Sequence, residues 1–104
     1  MVSALTPVSG DGQKAERAGR FAPLAVRATG AGDAPAGGQV VSFYVDDAQG
    51  TGTDFHGGSP VMVTTDENGI GLTDVPLNAG HSPGTVRIRA MSGAAQATFT
   101  VEVV

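Results

Sequence analysis

The chain has 104 residues, of which 40% are hydrophobic, and carries a formal charge of −4 from ten acidic and six basic residues. That length suits one small domain, and the acidic balance argues against a nucleic-acid surface. No run of about eighteen apolar residues offers a membrane span, and the lack of cysteine excludes disulfides and disfavours a structural zinc site. The apolar residues are mostly Val and Ala, which predicts a thin core. Glycine, at sixteen residues, clusters between alternating runs without a collagen-like period, so frequent turns are expected.

Met1-Val2-Ser3 has neither the basic start nor the apolar centre of a secretory signal. Residues 1–3 are expected to be a linker or an expression remnant on a single domain spanning 1–104, so they do not argue for the cytoplasm. Residues 3–9 read as a short edge strand, because Pro7 lacks an amide donor. Gly10-Asp11-Gly12 breaks it, and Gln13 to Ala15 are expected to continue it on another sheet. After a turn at Ala18-Gly19-Arg20, Leu24, Val26 and Ala28 should be buried, with Ala25, Arg27 and Thr29 facing out.

Thr29 to Gly38, with its glycines, Asp33 and Pro35, reads as a loop without a stable helix. Gln39 to Val45 is the strongest strand and is expected to be central. It has Val41, Phe43 and Val45 on one face and Ser42 and Tyr44 on the other. Asp46 to Gly50 ends it, and Gly52 to Ser59 crosses to the next strand with Phe55 beneath the loop.

Val61 to Thr65 and Ile70-Gly71-Leu72 flank Asp66-Glu67-Asn68-Gly69, which reads as a four-residue hairpin loop between paired strands. Asp can bond the backbone two residues on, and Asn-Gly supplies positive φ. Ile70 and Leu72 lie at even positions, Val75 and Leu77 at odd ones. If all four are buried, a bulge or strand end is required near Thr73-Asp74. Beyond the turn-rich Asn78 to Gly84, Val86, Ile88 and Ala90 alternate with Arg87 and Arg89. Ala97, Phe99, Val101 and Val103 then alternate with Thr98, Thr100 and Glu102.

About seven short strands without helix predict an all-β, two-sheet antiparallel immunoglobulin-like β-sandwich. An open barrel is the alternative. The sandwich is favoured because each strong run has one apolar face.

Several stretches carry a resemblance. They are Ser9 to Ala15, Pro23 to Arg27, Pro35 to Phe43, the turn Thr64 to Gly71, Ala79-Gly80 with Pro83-Gly84-Thr85-Val86, and Ala97-Thr98-Phe99. Together, and in this order, they resemble the bacterial immunoglobulin-like domains of the invasin and intimin type. Gly71 stands where that family commonly has Ala, and Asp33-Ala34-Pro35 replaces its Gly-Asn-Pro turn. The resemblance implies a non-catalytic structural or spacer module of a larger bacterial secreted or cell-surface protein, usually repeated in tandem. Its implied partners are neighbouring domains of the same polypeptide. The alternative is an adhesion or ligand-binding module recognising a host protein or glycan.

No nucleophile motif is present. His56 and His81, with Ser59 and Ser82 near them in sequence, fall in predicted loops whose polarity accounts for them. No catalytic residue, cofactor or metal ligand is assigned, and no ligand-binding residue can be named. Asp46, Asp47, Asp54 and Asp33 would have to meet at one end of the sandwich to bind calcium, and solvated turns explain them as well. Lys14, the only lysine, lies in a polar edge segment, and Asn68 and Asn78 lie in turns, which disfavours an internal isopeptide bond. Arg27, Arg87, Arg89 and Tyr44 face outward and are the seed of any binding face, although carbohydrate platforms use several exposed aromatics.

Overall fold

A computed structural model describes residues 2–58 and 60–104. The fold is all-β. In chain order the strands are β1 (Ala4–Ser9), β2 (Lys14–Ala15), β3 (Arg20–Phe21), β4 (Ala25–Thr29), β5 (Val40–Asp46) and β6 (Asp54–Phe55). They continue with β7 (Val61–Thr64), β8 (Ile70–Leu72), β9 (Leu77–Asn78), β10 (Gly84–Ser92) and β11 (Ala95–Val103). A single 3-10 turn, Ala31–Asp33, interrupts the loop after β4. The strands form three sheets, in the orders β1-β4-β8, β2-β11-β10-β5-β7 and β3-β9-β6. The expectation of about seven strands took β2 as a continuation of the first strand and did not separate β3, β6 and β9 as strands of their own. β3, β6 and β9 are two residues each, too short to leave a periodic signal.

Alternation was a sound guide in the long strands. Val41 and Phe43 of β5, Val86, Ile88 and Ala90 of β10, and Phe99, Val101 and Val103 of β11 are buried. β5 has a partner on each side, as expected, although β10 occupies the middle of its sheet. Leu24, Val26 and Ala28 are buried and Arg27 is exposed. Ala25, expected outside, is also buried, lying between Ser9 and Leu72 in register. At the centre Phe43 and Phe99 meet with ring centroids 6.3 Å apart at an interplanar angle of 39°, an aromatic pair within contact range. Around them the core is largely Val, Ala and Leu.

The first strand behaves as read. β1 is an edge strand against β4, irregular between Pro7 and Ser9. The chain then crosses to the five-stranded sheet, where β2 runs parallel to β11. Phe21, Leu77 and Phe55 lie in one cross-strand row of the third sheet. All three are buried, so this small sheet closes the core where the long strands do not reach.

One expectation fails at the Asp66 turn, and a second is met without the burial that motivated it. The turn itself forms as read: Asp66 Oδ1 accepts from the Asn68 and Ile70 amides at 2.8 and 3.0 Å, and Gly69 has φ of +78°. Yet β7 pairs with β5 and β8 pairs with β4, so the turn joins two sheets and is not a hairpin. The strand end expected near Thr73-Asp74 is present, since β8 stops at Leu72 and β9 begins at Leu77, but the burial of all four apolar residues that called for it is not. Gly71, Thr73 and Leu77 all face inward, with Val75 half-buried, while Leu72 is exposed. Gly71 takes an inward position where room is limited but not closed: an added Cβ would lie 3.3 Å from a Val63 methyl and 3.5 Å from a Val26 methyl. Thr73 tolerates burial because its hydroxyl accepts from the Leu24 amide at 3.0 Å.

Lacking disulfides, the fold uses side-chain clips. Gln13 Oε1 accepts from the Ala22 amide at 2.7 Å while its Nε2 donates to the Gly10 carbonyl at 2.8 Å. Asp11 Oδ1 accepts from the Thr100 amide at 2.8 Å, standing in for a strand beside β11 where β2 is absent. Buried Thr65 donates to the Ala36 carbonyl at 2.6 Å and accepts from the Gln39 amide. Among the described residues no buried side-chain nitrogen or oxygen lacks a partner.

The molecule measures 42 × 19 × 18 Å. Ala4 pairs with Thr29, and Thr29 with Pro35. Gly38 reaches Thr65, and the Ser92 hydroxyl reaches the Val40 carbonyl. The start of β1 therefore shares one end with the β10–β11 hairpin. Val103 pairs with Gly84 and Ala15, at the far end of the nine-residue β11, a run of about 30 Å. The first and last strands thus meet solvent at opposite ends of the long axis.

Candidate functional site

The outer face of the five-stranded sheet carries the largest departure from an ordinary polar surface. Strand alternation turns Val40, Ser42, Tyr44 and Asp46 of β5 outward, and register sets their neighbours. Met62 of β7 and Met91 of β10 flank Ser42, Arg89 lies beside Tyr44, and Arg87 lies beside Asp46. The exposures are 54% for Val40, 41% for Tyr44, 66% for Met62 and 37% for Met91. Strands about 4.8 Å apart bring these side chains into one patch. Thioethers are polarisable and flexible, which suits a surface that adapts to a partner.

At the other side of the patch the Arg89 guanidinium donates to Asp46 Oδ2 at 3.1 Å, an exposed pair worth little in stability. Tyr44, Arg87 and Arg89 therefore sit together as the sequence suggested. Met62, Met91 and Val40 were missed, although the signal was present: each is an apolar residue at a solvent-facing parity. Arg27 is not part of this surface. It lines a shallow groove of about 820 Å³ on the outer face of the β1-β4-β8 sheet, with Thr6, Pro7, Asp33, Asn68 and Ile70.

The four acidic residues do not all converge, although Asp47 and Asp54 line one shallow depression with Gly52 and Thr53. Asp33 lies in the Arg27 groove, near the start of β1, whereas Asp46 and Asp47 lie toward the opposite end. Asp46 is engaged with Arg89. Asp47 is committed to its own loop: Oδ1 accepts from the Thr51 amide and hydroxyl at 2.9 and 2.8 Å, and Oδ2 from the Gly52 amide at 2.7 Å. Partial burial raises its pKa, but the hydrogen bonds from Thr51, Gly52 and Thr53 together outweigh that and hold it below the usual carboxylate range. The buried Thr51 hydroxyl meets Thr53 Oγ1 at 2.8 Å, which accepts from the Gly80 amide at 3.0 Å. Gly80 is required here, because a Cβ would land on the Thr51 carbonyl oxygen. Asp54 lies in β6 of the third sheet, beside that depression. Among the described residues, no group of three or more His, Asp or Glu side chains is arranged to hold a metal ion.

His56 and His81 use their backbone amides to bond the Pro76 and Thr51 carbonyls. Ser82 donates its amide to Thr51 at 3.3 Å, and Ser59 lies outside the described residues. Lys14 pairs across β2–β11 with Glu102 at 3.9 Å, exposed. The Asn68 amide closes the Asp66 turn, and Asn78, expected in a turn, sits in β9 between Arg20 and Asp54.

These features define an all-β domain with one patterned outer face. No family model matches the chain, and no curated protein matches it. Among solved structures, the crystal structure of the S-layer protein SbsC domains 4 and 5 is similar, with a TM-score of 0.64 and 18% sequence identity. The match covers 100% of this chain and 53% of that one, so the chain spans about half the length of its structural neighbour. At this identity the likeness concerns the fold. No helix among the described residues is long and apolar enough to cross a membrane.

Proposed function

We propose that the chain is a non-catalytic structural module of a larger bacterial secreted or cell-surface protein, holding neighbouring domains of the same polypeptide apart. The observation that carries this reading is the placement of the first and last strands at opposite ends of a body 42 Å long and under 20 Å wide. A chain threaded through such a body sets a fixed distance between its neighbours. Likeness in fold to domains of an S-layer protein supports a surface setting. In this reading the β1-β4-β8 sheet and the five-stranded sheet are the two layers of an immunoglobulin-like sandwich of the invasin type, and the short β3-β9-β6 sheet closes it.

The test is small-angle X-ray scattering on chains holding one, two and three copies in tandem. Each copy should add about 40 Å to the maximum dimension, following the long axis of the domain. A maximum dimension that barely grows, showing copies folded side by side, would refute the spacer reading.

A second reading, a module recognising a host protein or glycan, is favoured by the Val40–Tyr44–Met62–Met91 patch. Its test compares the natural chain with a Tyr44→Ala/Met91→Ala variant on arrayed glycans and purified extracellular-matrix proteins. Binding lost in the variant supports recognition through this face; the same binding by both excludes it.

A further inference from the structure

The sheet edges of this fold are guarded unequally. β1 has Pro7 and a break in register beside it. β2 is two residues long and begins with Lys14. On β8 the Ile70 amide and carbonyl are taken by the Asp66 side chain and amide. β7, the last strand of the five-stranded sheet, has no such device beyond the Pro60 that precedes it. Short length, charge, proline and local irregularity are the usual means of keeping edges apart. Val61-Met62-Val63-Thr64 has no charge.

The register shows which groups are open. The Thr65 amide bonds the Gln39 carbonyl, in step with the pairs Val63–Val41 and Val61–Phe43. Antiparallel ladders alternate, so Val61 and Val63 turn their backbone groups toward β5 while Met62 and Thr64 turn theirs to the open side. Val61 and Val63, although they point inward, are only half-buried, and Met62 is the most exposed large apolar residue described. Among the described residues no strand pairs with β7 on this side.

We propose that β7 pairs antiparallel with β7 of a second copy of the chain, about a two-fold axis through Val63. In that register Met62 faces the partner's Thr64 and Thr64 faces the partner's Met62. Each pair exchanges the N–H and C=O groups that the monomer leaves open, so the edge is its own complement, as a two-fold interface requires. Electrostatics permits the contact despite the net charge of −4: Asp66 falls opposite the partner's Pro60, and no acid meets an acid. The outward side chains agree with this register. Met62 of each copy extends the Val40–Met91 patch into one apolar strip across the joined sheets. A foreign strand bearing complementary charge would find no charge on β7 to recognise, which favours a second copy as the occupant.

The experiment is sedimentation equilibrium of the 104-residue chain from micromolar to millimolar concentration, with two double variants. Met62→Lys/Thr64→Lys sets lysine against lysine in both pairs and should raise the dissociation constant by about tenfold or more. Met62→Lys/Thr64→Glu sets lysine against glutamate in the same pairs and should restore association. Far-ultraviolet circular dichroism confirms that both variants fold. Should either not fold, amide hydrogen exchange of the natural chain serves instead: the Met62 and Thr64 amides should slow as concentration rises. A natural chain that stays monomeric, association untouched by the lysine pair, or exchange independent of concentration would each overturn the proposal. Failure of the Lys/Glu variant to recover would overturn the register.

Discussion

Replacing Asp47 by Ala should destabilise the domain by about 2–3 kcal/mol, because one carboxylate organises the whole 47–53 loop. It accepts from the Thr51 amide, the Thr51 hydroxyl and the Gly52 amide at 2.9, 2.8 and 2.7 Å. A hydrogen bond to a charged partner contributes about 1.5–3 kcal/mol, and loss of a partner for a buried group costs a similar amount. Thr51 is buried, so its amide is left unmet in the variant. Asp47 is itself partly open to water and the bonds are not additive, which keeps the total near that of one strong bond and not three. The loss extends further, since Thr51 also accepts from His81 and links through Thr53 to Gly80. Urea unfolding followed by far-ultraviolet circular dichroism at pH 7 measures the effect. Asp47→Asn tests the charge alone. The folded carboxyl titrates below its unfolded value of about 3.9, so the unfolded chain takes up the proton first as pH falls. The stabilisation is complete above that unfolded value and is lost as pH falls through the folded one. The gap between the natural chain and Asp47→Asn should therefore be widest at neutral pH and narrow below about pH 4. A change under about 0.5 kcal/mol for Asp47→Ala, the ordinary range for a surface substitution, or a gap independent of pH, would refute the account.

Two glycines make opposite predictions. Gly80→Ala forces a Cβ onto the Thr51 carbonyl and should cost about 3 kcal/mol or leave the chain unfolded. Gly71→Ala finds its nearest atom, Val63 Cγ2, at 3.3 Å and has no positive φ, so its midpoint should change by less than about 1 kcal/mol; a loss above about 2 kcal/mol would contradict the packing described. Phe99→Leu removes half of the central aromatic pair from a fully buried site, and a loss of about 1–2 kcal/mol is expected in the same urea assay. An unchanged midpoint would mean that the core is not built on that pair.

Edge and face together bear on how such a module behaves in company. In the proposed spacer reading the long axis would set the spacing between neighbours, while the β7 edge lies along its side. Pairing there leaves both ends of the axis clear, so self-association and tandem linkage are compatible. The Met62 side chain belongs to both the outer patch and the open edge, which makes it the position where the two properties can be altered together. Tyr44 and Met91 belong to the patch but not to the edge, so changing them tests the patch apart from the proposed pairing.

Residue order alone determined the inward sets of β5, β10 and β11 and the buried Leu24, Val26 and Ala28. In a strand the two-residue period converts apolar spacing directly into a face. It also determined the Asp66–Gly69 turn, whose geometry is local: an Asp side chain and a glycine at positive φ make it without help from distant residues. The exposed Tyr44, Arg87 and Arg89 followed from the same period.

Tertiary structure decided which strands pair. Nothing local in Thr64 to Leu72 distinguishes a turn within a sheet from one that crosses between sheets, because the turn bonds are the same in both. The choice rests with β5 and β4, which claim β7 and β8 respectively. Packing likewise turned Gly71 and Thr73 inward and Leu72 outward, against their hydrophobicity. The space under β8 is filled from Val63 and Val26, and the Leu24 amide needs the Thr73 hydroxyl. The patch and the open edge became visible only when register set Met62 and Met91 on either side of Ser42, since adjacency across strands is written in no single stretch of chain.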